Sequence, residues 1–166
     1  MQGLRSSTLA RNDLARAISM LGEELSTPQN QRYPDFRVRV EGKPRDLAPI
    51  IRDDVYCIVG EALRNAFRHS DAARIDVELR YDRRQLRLRI CDDGKGIDAK
   101  LLSGGGRAGH FGLPGMYERA KLVGARLAVS SRRDSGTQAE LTIPASIAYA
   151  RSMDGRRWSK FWARGA

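Results

Sequence analysis

The stretch from Asp46 to His69 limits the folds open to this chain more than any other. Pro49 stands where a first helical turn can spare its N–H, and Ser70-Asp71 stop the run after His69, so the segment predicts one long helix. On a wheel of 100° per residue, Val55, Val59, Ala62, Leu63 and Ala66 gather on one side. Glu61, Asn65, Arg68 and Asp54 gather on the other, with His69 at the edge of that stripe. The apolar side must be buried. The polar side carries a carboxylate, an amide and a cation at i, i+4 and i+7. That set suits a metal ion with phosphates, because Asn offers a hard oxygen and Arg a fixed fork of donors. A solvated helix face with ordinary i,i+4 pairs is the competing reading.

Alternating segments supply a sheet for the helix to cover. Phe36-Arg37-Val38-Arg39-Val40 is one strand. Ile75, Val77 and Leu79 alternate with Asp76, Glu78 and Arg80, and Leu86, Leu88 and Ile90 alternate with Arg87 and Arg89. Tyr81-Asp82-Arg83-Arg84 joins these two as a hairpin, and cross-strand Arg/Asp and Arg/Glu pairs are expected to absorb charge on its wet face. Leu127/Val129 and Ala139/Leu141/Ile143 mark two more strands, joined across Arg132-Arg133-Asp134-Ser135-Gly136. Leu9, Leu14, Ile18, Leu21 and Leu25 give a helix from about Thr8 to Leu25.

The chain's 166 residues predict one main domain with a real core. Residues 1–30 are expected to be a linker helix and a candidate remnant of a dimerisation domain, 31–146 the domain and 147–166 a basic tail rich in Arg and Trp. Cys57 and Cys91 are expected to stay reduced in a cytoplasmic setting. No apolar run has the length of a membrane span and no leader pattern opens the sequence, so no membrane contact is expected of this segment; a membrane-anchored parent protein is compatible with that. The net charge of +10 admits nucleic acid, an acidic protein or a polyanionic nucleotide as partner. No groove-reading motif accompanies the charge, so a nucleic-acid partner is not expected.

Two glycine segments carry the chemistry. Asp92-Asp93-Gly94-Lys95-Gly96 leaves a strand abruptly, placing a carboxylate where it could accept a hydrogen bond from an exocyclic amine; a plain Asp/Gly turn is the alternative. The second, Ser103-Gly104-Gly105-Gly106-Arg107-Ala108-Gly109, runs through His110-Phe111-Gly112-Leu113-Pro114-Gly115-Met116 into a helix that ends near Val123 with Gly124 as its cap. A glycine tract feeding a helix start presents unpaired N–H groups to phosphate. It is neither a P-loop nor a dinucleotide-binding GxGxxG.

Four segments together resemble a known superfamily. Glu61-x-x-x-Asn65, Asp92-x-Gly94-x-Gly96-Ile97, His110-x-Gly112-Leu113-x-Gly115-Met116 and Gly136-Thr137 match, in order, the N box and three glycine boxes of the GHKL ATPases. Within that superfamily the segments around Glu61, Asp92, Phe111 and Gly136 look like sensor histidine kinases of the nitrate-sensor type, over about residues 34–145. The resemblance implies an α+β fold, a two-layer α/β sandwich with a mixed, mostly antiparallel sheet covered on one face by helices. It implies ATP and Mg²⁺ as cofactors. Asn65 would hold Mg²⁺ between phosphates, Asp92 would bond the adenine amine, and Gly94 and Gly96 would let the chain pass the base. Arg68 would reach a phosphate and His69 would lie near the nucleotide. Gly104 to Phe111 would form a lid; Gly112, Leu113 and Gly115 would hold phosphate through the backbone; Thr137 would face the site. Glu61 would act catalytically, orienting Mg²⁺-bound water or an attacking group.

The implied activity is transfer of the ATP γ-phosphoryl to a histidine on a dimerisation domain outside this sequence, with a response regulator as an indirect partner. Neither His69 nor His110 is expected to be the acceptor, since both sit inside nucleotide motifs. The alternative is a standalone GHKL serine kinase and anti-sigma regulator.

Overall fold

The computed structural model describes residues 14–26, 33–99, 102 and 112–151. In chain order these form α1 (Leu14–Leu25), β1 (Asp35–Glu41), α2 (Pro49–His69), β2 (Arg74–Tyr81) and β3 (Gln85–Asp92). They continue with α3 (Leu113–Leu122), β4 (Arg126–Ser131), β5 (Thr137–Pro144) and the short α4 (Ala145–Ala148). The five strands make one sheet in the order β1-β2-β3-β5-β4. β1 and β2 are parallel, and the other neighbours are antiparallel. A parallel pair requires a crossover, and α2 is that crossover. Its length and its apolar side follow from this position. The architecture is the expected α+β one, with a mixed, mostly antiparallel sheet.

Alternation in the strands decides which side is dry. Ile75, Val77 and Leu79 of β2, Leu86, Leu88 and Ile90 of β3, and Leu141 and Ile143 of β5 are all buried. They meet Val55, Val59, Leu63 and Ala66 of α2 in one core. The other face keeps the charged residues. There Arg89 pairs with Glu78 and Arg80 approaches Glu41 at 3.8 Å across strands, so part of the expected cross-strand neutralisation occurs, while Arg37 pairs with Asp35 within β1.

Two ends of the described chain join this core more closely than the expected domain limits allow. Leu14, Ile18 and Leu21 of α1 are buried in it, and Gly22 lies so near Phe36 that a Cβ there would overlap the ring. Of the segment expected as a linker, residues 14–26 therefore pack as part of the domain, and the rest lies outside the described residues. At the other end Ala148 and Tyr149 are buried, the latter with Arg45 stacked over its ring 3.7 Å away. The Tyr149 hydroxyl lies 3.0 Å from the Asp82 carbonyl and 3.2 Å from that of Gln85, and it accepts the Asp82 N–H at 3.2 Å. The limit expected at residue 146 falls inside this packed segment. The basic residues from 152 onward and the glycine lid lie outside the described residues. Cys57 and Cys91 are free thiols.

Candidate functional site

Three pieces meet at one corner: the last turns of α2, the loop after β3 and the start of α3. The loop is pinned on both sides. Asp93 accepts the Ala73 and Arg74 N–H groups, each at 2.8 Å, while the Lys95 N–H donates to the Ser70 carbonyl at 2.8 Å. A Cβ on Gly94 would overlap that same carbonyl. Gly94 is thus required by contact between the loop and the end of α2. On the far side the Lys95 carbonyl accepts the Asp134 N–H at 2.8 Å, and the Ile97 N–H donates to Ser131 Oγ at 2.7 Å.

The start of α3 rests on the polar stripe of α2. Gly112 is its N-cap at φ 60°, and a Cβ there would run into the Glu61 carboxylate. A side chain is therefore excluded twice, by the left-handed backbone and by Glu61. Among the described residues no side chain caps α3, and Pro114 sits in its first turn, so the N–H groups there keep their capacity for an outside acceptor. Glu61 itself accepts from Arg64 Nε and Nη2 at 3.2 and 2.9 Å. Lower down, Arg119 of α3 bonds Asp54 of α2 at 2.7 Å and fixes the pairing of the two helices.

Between these pieces lies a cleft. Asn65, His69, Asp92, Gly96, Leu113 and Thr137 all line it, so residues from α2, β3, the loop, α3 and β5 are brought together. Glu61, Arg68, Gly94, Gly112 and Gly115 do not line it. Glu61 and Gly112 stand against each other beside it, and Gly94 is buried under Ser70. Arg68 is exposed, and a Cβ on Gly115 would meet nothing within 4 Å. Lys95 and Ser70 also line the cleft, Lys95 with its ammonium 3.2 Å from Asp71.

The walls were not foreseen. Ala62, Ala66, Ile90, Ile97, Met116, Val129 and Ala139 make them apolar. Strand alternation marks Ile90, Val129 and Ala139 as inward-facing, but nothing in that pattern separates a cleft wall from solid core. Asp92 is the carboxylate in this apolar setting. Its oxygen accepts the Gly94 N–H at 3.0 Å, and the Thr137 N–H bonds it as well. Burial raises its pKa above the ordinary value; the two N–H groups pull it back, and the Asp93 charge adds to the rise. The Thr137 hydroxyl is held at 2.9 Å by Ser131. Apolar walls with one fixed acceptor suit a heteroaromatic base bearing an amine, and an uncapped helix start nearby suits its phosphates.

Residues 51–147 match the family described as histidine kinase-, DNA gyrase B- and HSP90-like ATPase. The chain belongs to this family. The matched span contains every residue lining the cleft, and the family it matches is one of ATPases. The sensor histidine kinase LiaS of Bacillus subtilis is 33% identical over 135 residues, covering 78% of this chain and 36% of that protein. The sensor protein VraS of Staphylococcus aureus is 40% identical over 96 residues, 57% of this chain and 26% of its own. Among solved structures, the histidine kinase domain of the blue-light activated histidine kinase from Erythrobacter litoralis superposes with a TM-score of 0.60. It is 26% identical, over 80% of this chain and 59% of that one. The chain spans about a third or less of the length of these curated relatives. Among the described residues, no helix is long and apolar enough to cross a membrane.

Proposed function

We propose that this chain is the catalytic module of a sensor histidine kinase, delivering the γ-phosphoryl group of ATP to a histidine on a dimerisation domain outside these residues. The observation that carries this reading is the meeting of Asn65 and Asp92, far apart in sequence, in a cleft wholly inside the family match. The names of the similar proteins supply the kinase reading, and a response regulator would then receive the phosphoryl group from the histidine.

Each residue has a role in that reading. Asp92 accepts the adenine amine, with its carboxylate oriented by the Gly94 and Thr137 N–H groups. The apolar walls hold the base. Gly96, Leu113, His69 and Thr137 border the nucleotide, Gly112 and Gly115 offer backbone N–H groups to phosphate, and Arg68 reaches a phosphate from the helix end. Asn65 is the magnesium ligand, and Glu61 orients a bound water or the attacking group. Among the described residues no group of three or more His, Cys, Asp or Glu could hold a metal ion. One amide with a carboxylate a turn earlier suits Mg²⁺, which keeps waters and binds largely through substrate phosphates. Bound there, Mg²⁺ would neutralise phosphate charge; phosphoryl transfer depends mainly on such neutralisation and on positioning.

The test mixes the chain with the phosphoacceptor domain of a similar sensor kinase and γ-labelled ATP. The expected product is a phosphohistidine, labile in acid and stable in base, that requires Mg²⁺ and is lost in Asn65→Ala. Acid-stable phosphoserine on a partner protein would instead place the chain with the serine kinases and anti-sigma regulators. Nucleotide binding without transfer to either acceptor would overturn the kinase reading.

A further inference from the structure

The open face of the sheet holds a row of arginines that the nucleotide reading does not use. Strand register sets Arg80 of β2 directly opposite Arg87 of β3, Arg87 opposite Thr142 of β5, and Thr142 opposite Arg126 of β4. Like charges facing each other across a strand pair oppose folding, so this placement needs a reason. Arg87 is half-buried, its Nε is shut off from solvent without a hydrogen-bond partner, and it forms no ion pair among the described residues. Arg126 is exposed and likewise forms no ion pair there, and Arg80 has only the 3.8 Å approach of Glu41. The adjoining turn adds Arg83 and Arg84, both exposed, while its carboxylate Asp82 is occupied with the Arg84 N–H at 2.9 Å. This cluster lies toward the end of β3 and β5 away from Asp92 and Thr137.

The next row is different. Register there reads Arg39, Glu78, Arg89, Glu140, and Arg89 is already paired with Glu78. A continuous polyphosphate or an anionic membrane laid on this face would meet those carboxylates. A protein segment of mixed charge would not be so penalised. Strands repeat about every 4.8 Å, so the row from Arg80 to Arg126 spans about 14 Å. Carboxylates at i, i+4 and i+7 of one helix cover a comparable length, about 10 Å along the axis plus the reach of the side chains. Guanidinium forks bind carboxylates in pairs of parallel hydrogen bonds.

We propose that the Arg80–Arg87–Arg126 row is a docking site for an acidic helical segment of a partner protein, separate from the nucleotide cleft. The inference does not depend on the kinase reading. The test uses the full chain and a fluorescent helical peptide bearing glutamates at i, i+4 and i+7, with a glutamine twin as control. Anisotropy should show salt-sensitive binding, about tenfold weaker for the twin. Arg87→Gln and Arg126→Gln should each weaken it about threefold or more, and Arg37→Gln should not. All three variants should keep parental ATP binding, which shows that they are folded. Equal binding of peptide and twin would overturn the proposal, as would Arg126→Gln behaving like the parent. Tighter, row-dependent binding of duplex DNA or phosphatidylserine vesicles would overturn the choice of a protein partner.

Discussion

Asp92 concentrates the chemistry of the cleft in one carboxyl group, and its environment fixes two opposite consequences of neutralising it. Its folded pKa is raised by burial, so the protonated form is favoured in the native state. The stability this gives is complete below the ordinary value of 3.8 and is lost as pH rises through the raised value. At pH 7 the ionised group therefore costs stability. Asp92→Asn should melt at the same temperature as the parent or higher at pH 7, with any gap closing below pH 3.8. The same variant should bind ATP about tenfold or more weakly, since the acceptor for the amine is replaced. A lower melting point at pH 7 would contradict the assigned cause of the shift. Gly112 gives the second prediction at this scale. Gly112→Ala should destabilise by about 2 kcal/mol or more, from the left-handed φ and the overlap with Glu61, read as a shifted denaturant midpoint. An unchanged midpoint would mean that α3 does not rest on Glu61.

At the scale of elements, α4 and Tyr149 close the fold by clamping the β2–β3 turn. Tyr149→Phe removes the hydroxyl shared by the Asp82 N–H and the Asp82 and Gln85 carbonyls, so a loss of about 1–2 kcal/mol is expected by chemical denaturation. Cutting the chain after residue 146 should cost more than cutting after 151, because only the shorter form loses the buried Ala148 and Tyr149. The sequence made α2 legible because a helix of that length has room for its two faces to separate. It made β2 and β3 legible by clean alternation. It could not reveal α4, since four residues display no periodicity and their burial depends on a turn far away in the chain. The parallel placement of β1 was equally hidden: local pattern shows that a strand exists, while its neighbour is set by the crossover. In the cleft, Asp92, Asn65 and Thr137 were legible from motif order. Gly94 was legible as a glycine, but its reason, the Ser70 carbonyl, belongs to tertiary packing.

Two features stand toward opposite ends of the one sheet. At one end Asp92, Thr137 and the end of α2 enclose the cleft; toward the other, arginines crowd the open face. Cross-strand pairs such as Arg89–Glu78 are neutral and leave the +10 excess untouched, while Arg87 and Arg126, in the row with Thr142, form no ion pair among the described residues. For the proposed roles of Asn65 and Asp92 to hold, the cleft must bind magnesium and ATP together. Calorimetric titration of ATP with and without Mg²⁺, into the parent and Asn65→Ala, tests this most directly. The parent should bind Mg²⁺-ATP at micromolar to millimolar strength, about −4 to −8 kcal/mol, and more weakly without the ion. Asn65→Ala should lose the magnesium-dependent part and keep the rest. No saturable heat in the parent, or an undiminished magnesium effect in Asn65→Ala, would contradict it.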